Sequence, residues 1–274
     1  MIAKLIDGQS TLWSLCAASS YTYRDAFKML YRHPTCRGAK KELAFLAALF
    51  YKPHLGPLVR SYTMCSFLQS QRDCDDATVR ALLDRQTSLS AAEKFYLQSS
   101  LCRRALILMV NLDTLSYSIE DVEVMDHLLR CPFTFRLKEL RWSSTPWCQE
   151  KLHRFLKKHE SIKCLSLFDG SLCTTIPLQP SKSLISLIGT QRDIALALPY
   201  SPGITHLMWH PDIDACDDMP YPTNPLHLPS QSITHLHYSD EKPLSLFADS
   251  LLEIKYLCLP RSWHTFVRSP SYDQ

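Results

Sequence analysis

Ile204-Thr205-His206-Leu207-Met208-Trp209 is the stretch on which the fold turns. Its pattern, apolar-x-x-Leu-x-apolar, returns at Ile233-Thr234-His235-Leu236-His237-Tyr238. The same pattern stands at Leu137-Leu140-Trp142, Ile162-Leu165-Leu167 and Ile254-Leu257-Leu259, with Leu184-Leu187-Gly189 as a weak member. The middle leucines, at 140, 165, 207, 236 and 257, step by 25, 42, 29 and 21 residues, and the weak member halves the longest step. A short strand with alternating apolar positions buries only one of its faces. Copies at this spacing predict stacked strand-and-return units that share one core and offer their other face to a partner.

Between these strands the chain reads as helix or loop. Residues 10–32 carry apolar residues at three- and four-residue spacing, with Pro34 just beyond, and predict a helix. Lys41–Tyr51 predicts a second, stopped at Pro53, and His54–Met64 a turn followed by a short strand. Residues 75–104 predict helix, with Ser90 and Glu93 spaced as a capping box. The compact apolar run Ala105–Leu112 predicts a strand, and Ser118 the cap of a helix ending before Pro132. Thr145-Pro146 has the form of an N-cap with proline at the first helical position, opening a helix to about His159. Short helices are expected at Arg192–Leu198 and Pro243–Leu251, loops at 168–182 and 210–230. Strands alternating with helices predict a parallel sheet, either curved into a horseshoe or set in an ordinary α/β domain.

Composition narrows the class. A content of 46% hydrophobic and 21% charged residues is that of a folded, soluble protein. A net charge of +3, with basic pairs scattered at Lys40-Lys41, Arg103-Arg104 and Lys157-Lys158, argues against nucleic acid as a partner. Eleven cysteines without C-x-x-C spacing read as reduced thiols, and the N-terminus lacks the apolar run of a signal peptide. Neither Leu43–Tyr51 nor Ala105–Leu112 approaches the roughly 18–20 residues needed to span a bilayer. The expected location is intracellular, cytoplasm or nucleus.

Steps of roughly 20–29 residues are the period of leucine-rich repeats. The N-terminal stretch adds to that: Leu12-Trp13-Ser14-Leu15-Cys16-Ala17-Ala18-Ser19-Ser20, then Tyr23-Arg24-Asp25-Ala26 and Leu30-Tyr31-Arg32-His33, resembles the latter half of an F-box. His54-Leu55-Gly56-Pro57-Leu58-Val59-Arg60-Ser61 is similar to the strand that opens the repeats of fungal F-box-like proteins. Ile185–Ile188, Asp193–Leu198 and Gly203–Leu207 also fit that group's phrasing. The resemblance implies an α/β chain in three parts. Residues 1–35 form a partial, all-helical F-box-like segment, 36–262 an irregular leucine-rich-repeat solenoid (a curved parallel sheet with helices outside), and 263–274 a loose tail. It further implies a substrate adaptor, the F-box docking on a Skp-type linker of a cullin ubiquitin ligase and the repeats choosing an unknown protein substrate. Leu12, Leu15, Ala18, Phe27 and Leu30 are the positions it marks as linker-facing or core-facing.

Two departures carry expectations of their own. The opening Leu-Pro helix of the family is missing, with only Ile2–Ile6 as a remnant, so the F-box reads as N-terminally truncated. The usual asparagine after each strand is also missing; Thr145, Gly170, Asp212, Glu241 and Ser262 stand there, which predicts an irregular horseshoe.

Alternation places Glu139 and Arg141, Cys164 and Ser166, Ser186 and Ile188, then His206, Met208 and His210 on the concave face. His235, His237, Tyr256 and Cys258 follow. With strands about 4.8 Å apart, His206 should lie beside His235 and Met208 beside His237. Glu139, Arg141, His206, Met208, His235, His237 and Tyr256 are therefore the candidate partner-binding residues, and the histidines predict a response to pH near 6–7. Their spacing matches no compact zinc signature, so no metal and no cofactor is expected. Six glycines, and no G-x-G-x-x-G, G-x-x-x-x-G-K-[ST] or nucleophile-elbow motif, argue against an enzyme. A leucine-rich-repeat protein with a vestigial F-box is the alternative to the adaptor, and a metal-dependent or hydrolytic enzyme a distant third.

Overall fold

The computed structural model describes residues 14, 16–18, 20–34, 36, 38–64, 75–85, 88–118, 133–143, 149–168, 182–210, 233–239 and 254–259. Among the described residues the fold is mixed α/β, built on one parallel sheet of eight strands whose spatial order follows the chain order from first to last. The strands are β1 Ser61–Met64, β2 Thr114–Ser118, β3 Glu139–Ser143 and β4 Cys164–Phe168, then β5 Ser186–Thr190, β6 His206–His210, β7 His235–Tyr238 and β8 Tyr256–Cys258. Helices α1 Ser20–Arg32 and α2 Ala39–Tyr51 precede the sheet, and α3 Asp76–Asp84 and α4 Ala91–Leu108 join β1 to β2. Helix α5 Gln149–Lys158 joins β3 to β4, and α6 Gln191–Ala197 joins β5 to β6.

Each strand from β2 to β8 enters the sheet in the same way. The carbonyl one residue before a strand accepts two backbone N–H groups from the next strand's start. The carbonyl of Asp113 takes Lys138 and Glu139, that of Lys138 takes Lys163 and Cys164, and that of Thr205 takes Thr234 and His235. The same fork runs from Arg60 at one end to Thr234 at the other. It satisfies backbone donors that would otherwise be orphaned at the lip of the sheet. In register, the leucines 115, 140, 165 and 187 form one row that continues through 207, 236 and 257.

That row and the one beside it make the core. Tyr117 stacks on Trp142 at 4.7 Å between ring centroids, and Trp142 meets Phe155 of α5 at 6.4 Å. Trp209 meets Tyr238 edge-on at 5.5 Å. Phe155 in turn packs His159 at 4.4 Å, and Phe135 stacks with the same imidazole at 5.5 Å. Burial holds His159 neutral, its pKa lowered to about 4, with the charge of Lys158 adding to the effect. Gly189 explains why its repeat reads weakly. It pairs with Trp209, but a Cβ there would lie 2.9 Å from the Cβ of Asp193, which reaches back to cap α6 on Thr190. Gly56 is required for a similar reason, its missing Cβ being replaced by the last turn of α4 at Leu108.

At the helical end, one acid is buried. Glu42 of α2 accepts from the Tyr62 hydroxyl of β1 at 2.6 Å and from the Gln98 amide of α4 at 2.8 Å. Burial pushes the Tyr62 phenol well above its ordinary pKa, with Cys102 and Glu42 reinforcing the shift. Three elements are thereby pinned at one carboxylate.

Two expectations are corrected. Ala105–Leu112 is not a strand: α4 runs through Leu108, because Leu97, Leu101, Cys102, Ala105, Leu106 and Met109 bury one helical stripe. An apolar run of eight cannot by itself distinguish strand from helix; the period set by residues upstream does. The strand falls instead on Thr114–Ser118, where Leu115 and Tyr117 alternate inward, and Ser118 ends that strand, pairing with Ser143. The helix expected over 75–104 is two helices, each with its own cap, Asp75 on the Thr78 N–H and Ser90 in the capping box with Glu93. The helix expected from Ser118 to before Pro132, the Thr145-Pro146 N-cap, the loops at 168–182 and 210–230 and the helix at Pro243–Leu251 lie wholly or almost wholly outside the described residues.

Candidate functional site

The residues pointing away from the core form two rows. One runs Thr114, Glu139, Cys164, Ser186, His206, His235, Tyr256, and the other Ser116, Arg141, Ser166, Ile188, Met208, His237, Cys258. The register expected from alternation is the one observed: His206 pairs with His235, and Met208 with His237. Arg141, His206, Tyr256 and Cys258 are exposed and most of the others half-buried, whereas Ser166 is buried.

The two ends of these rows behave differently. On β2 and β3 the polar groups are engaged with each other. Glu139 accepts from the Arg141 Nε at 2.7 Å and from the Thr114 hydroxyl at 3.3 Å. Burial raises the pKa of the Cys164 thiol beside them, and the Glu139 charge raises it further, so this cysteine is a poor nucleophile.

On β6, β7 and β8 the side chains stack. The His206 and His235 rings are 4.1 Å apart and 10° from parallel, and the Tyr256 ring continues the column 4.5 Å beyond His235. Each imidazole is fixed by the residue before it. The Thr205 hydroxyl and His206 Nδ1 share a 2.8 Å hydrogen bond, and Thr234 and His235 repeat it at the same length. A recess of about 630 Å³ opens over this column, with Ile188, Met208, His237, Lys255 and Cys258 among its walls. Beside it His210 is held toward the neutral form, by burial first and by His237 second.

Of the residues expected to face a partner, His206, Met208, His235, His237 and Tyr256 thus line one recess, and Glu139 and Arg141 form a separate pair. The sequence reading missed Thr205, Thr234 and Lys255; the repeated Thr-His dipeptide was the signal for the first two. The F-box-like positions separate too. Leu30 is buried beside Ala26, and Phe27 packs on the main core, stacked on Tyr23 and tilted against Tyr31. Ala18 is exposed, and Leu12 and Leu15 lie outside the described residues.

Among the described residues no group of three or more His, Cys, Asp or Glu is arranged to hold a metal ion, and no helix is long and apolar enough to cross a membrane. No family model matches the chain, and neither a curated protein nor a solved structure matches it.

Proposed function

We propose that this chain is an intracellular protein-binding scaffold, its parallel sheet the strand layer of an irregular leucine-rich-repeat solenoid. One observation carries the reading: along seven successive pairings the same row faces the core and the same two rows face outward. Such a sheet invests its apolar residues in stacking and leaves a graded surface for recognition. Methionine, tyrosine and histidine at one end of that surface are side chains suited to a protein partner.

The F-box resemblance makes the role more specific: a substrate adaptor that meets a Skp-type linker through its first helix and a substrate protein through the sheet. Exposed Ala18 and Tyr21, the latter 95% exposed, are surface positions of that helical region. The test is purification of the whole chain from its own cells, with Ala18→Glu and Met208→Asp variants beside it. Linker and cullin should accompany the native chain and be lost with Ala18→Glu, while a distinct partner should be lost with Met208→Asp. Loss of a partner with Met208→Asp, and no linker in any sample, would leave a scaffold outside the ligase system. Partners indifferent to both variants would overturn the reading.

A further inference from the structure

We infer that the stacked pair His206–His235 binds a carboxylate of the partner polypeptide, with an adjoining apolar side chain of that partner seated against Ile188 and Met208. The inference rests on the protein-binding reading of this face and names the chemistry that the face recognises.

The geometry of the two rings is duplicated. Both stand at register-matched positions of neighbouring strands, and both have Nδ1 tied to the preceding threonine hydroxyl at 2.8 Å. The same bond at the same ladder position gives both rings one orientation, in keeping with their 10° interplanar angle. Their Nε2 edges therefore lie side by side. A carboxylate has two oxygens and can accept from two such neighbouring N–H groups at once. Charge points the same way: His237 and Lys255 also line the recess, and no Asp or Glu does among the described residues. An anion entering there meets ring N–H donors and the Lys255 cation, with no acid among the described lining residues. Ile188 and Met208, in the next row, supply an apolar wall for the side chain beside the carboxylate.

Thr234 has two acceptors within reach. Its hydroxyl lies 2.8 Å from His235 Nδ1 and 3.3 Å from the carbonyl oxygen of Thr205. A hydroxyl has one proton, so when Thr234 donates along the shorter contact to Nδ1, the ring carries its own proton on Nε2, aimed at the carboxylate. Thr205 sets His206 by the same bond.

The test uses the full chain on an array of synthetic decapeptides, each with one Asp or Glu beside Leu, Ile or Phe. Each is printed with its Asn or Gln counterpart and with a phosphoserine counterpart. Acidic members should be retained about tenfold better than their amides. His206→Phe and His235→Phe keep the ring stack without the N–H groups and should erase that preference; Thr234→Val should weaken it. Equal retention of acids and amides, or a preference that survives both phenylalanine variants, overturns the inference but leaves the broader reading of the face standing. Stronger retention of phosphoserine members overturns it in favour of a phosphate site, and retention of no peptide overturns it outright. The broader reading fails only if the cellular partners ignore Met208→Asp.

Discussion

Strands β3 and β8 carry the same motif in the same sheet, and their fates differ. Leu140 and Leu257 occupy one row, yet Leu140 is fully buried while Leu257 is 50% exposed. Strand β3 lies between β2 and β4, under Phe155 of α5, with Trp142 stacked on Tyr117. Among the described residues β8 pairs with β7 alone. The motif decides which way a leucine points; neighbours on both sides and a covering helix decide whether pointing inward removes it from water. The energetic value of the repeat is thus set by position along the sheet.

The sharpest way to break that comparison is truncation. Trp142→Ala should cost about 3–5 kcal/mol, against less than about 1 kcal/mol for Leu257→Ala, read as the shift in chemical unfolding midpoint. Equal losses would mean that β8 is as deeply packed as β3.

Next comes pH at the core beside β3. In the fold His159 stays neutral down to about pH 4, whereas in the unfolded chain it takes a proton near 6.5. Its contribution is complete above pH 6.5 and declines as pH falls toward 4, by about 3 kcal/mol in all. His159→Phe should flatten that part of the stability profile; an unchanged slope would place the acid sensitivity elsewhere.

Two acids sharpen the contrast between covered and uncovered faces. Glu42→Ala removes the acceptor shared by Tyr62 and Gln98 and should cost about 2–3 kcal/mol. Glu139→Gln, on the outward row with its Arg141 partner 54% exposed, should cost under about 1 kcal/mol. Thermal unfolding of the two variants side by side measures both, and a larger loss for Glu139→Gln would show that the outward rows also hold the sheet together.

Much of this was legible before the structure. The inward rows, the capping box at Ser90 and Glu93, and the pairing of His206 with His235 follow from period-two alternation and from spacing. Strand β2 was missed although Leu112-x-x-Leu115-x-Tyr117 carries the leucine motif, because Leu112 was absorbed into the apolar run Ala105–Leu112, which looked strand-like in its own right. That run belongs to α4, as its stripe with Leu97 and Leu101 makes plain. Nor could the buried acid be foreseen: Glu42 looks like any first-turn glutamate until β1 and α4 close over it.

The amino-acid sequence by itself determined the direction of each side chain on the repeat strands, since alternation follows from backbone geometry alone. Tertiary structure alone decided which of those side chains are dry and which polar groups satisfy one another. It also turned His206, His235 and Tyr256 into a column, because those properties depend on atoms brought together from strands some twenty to thirty residues apart.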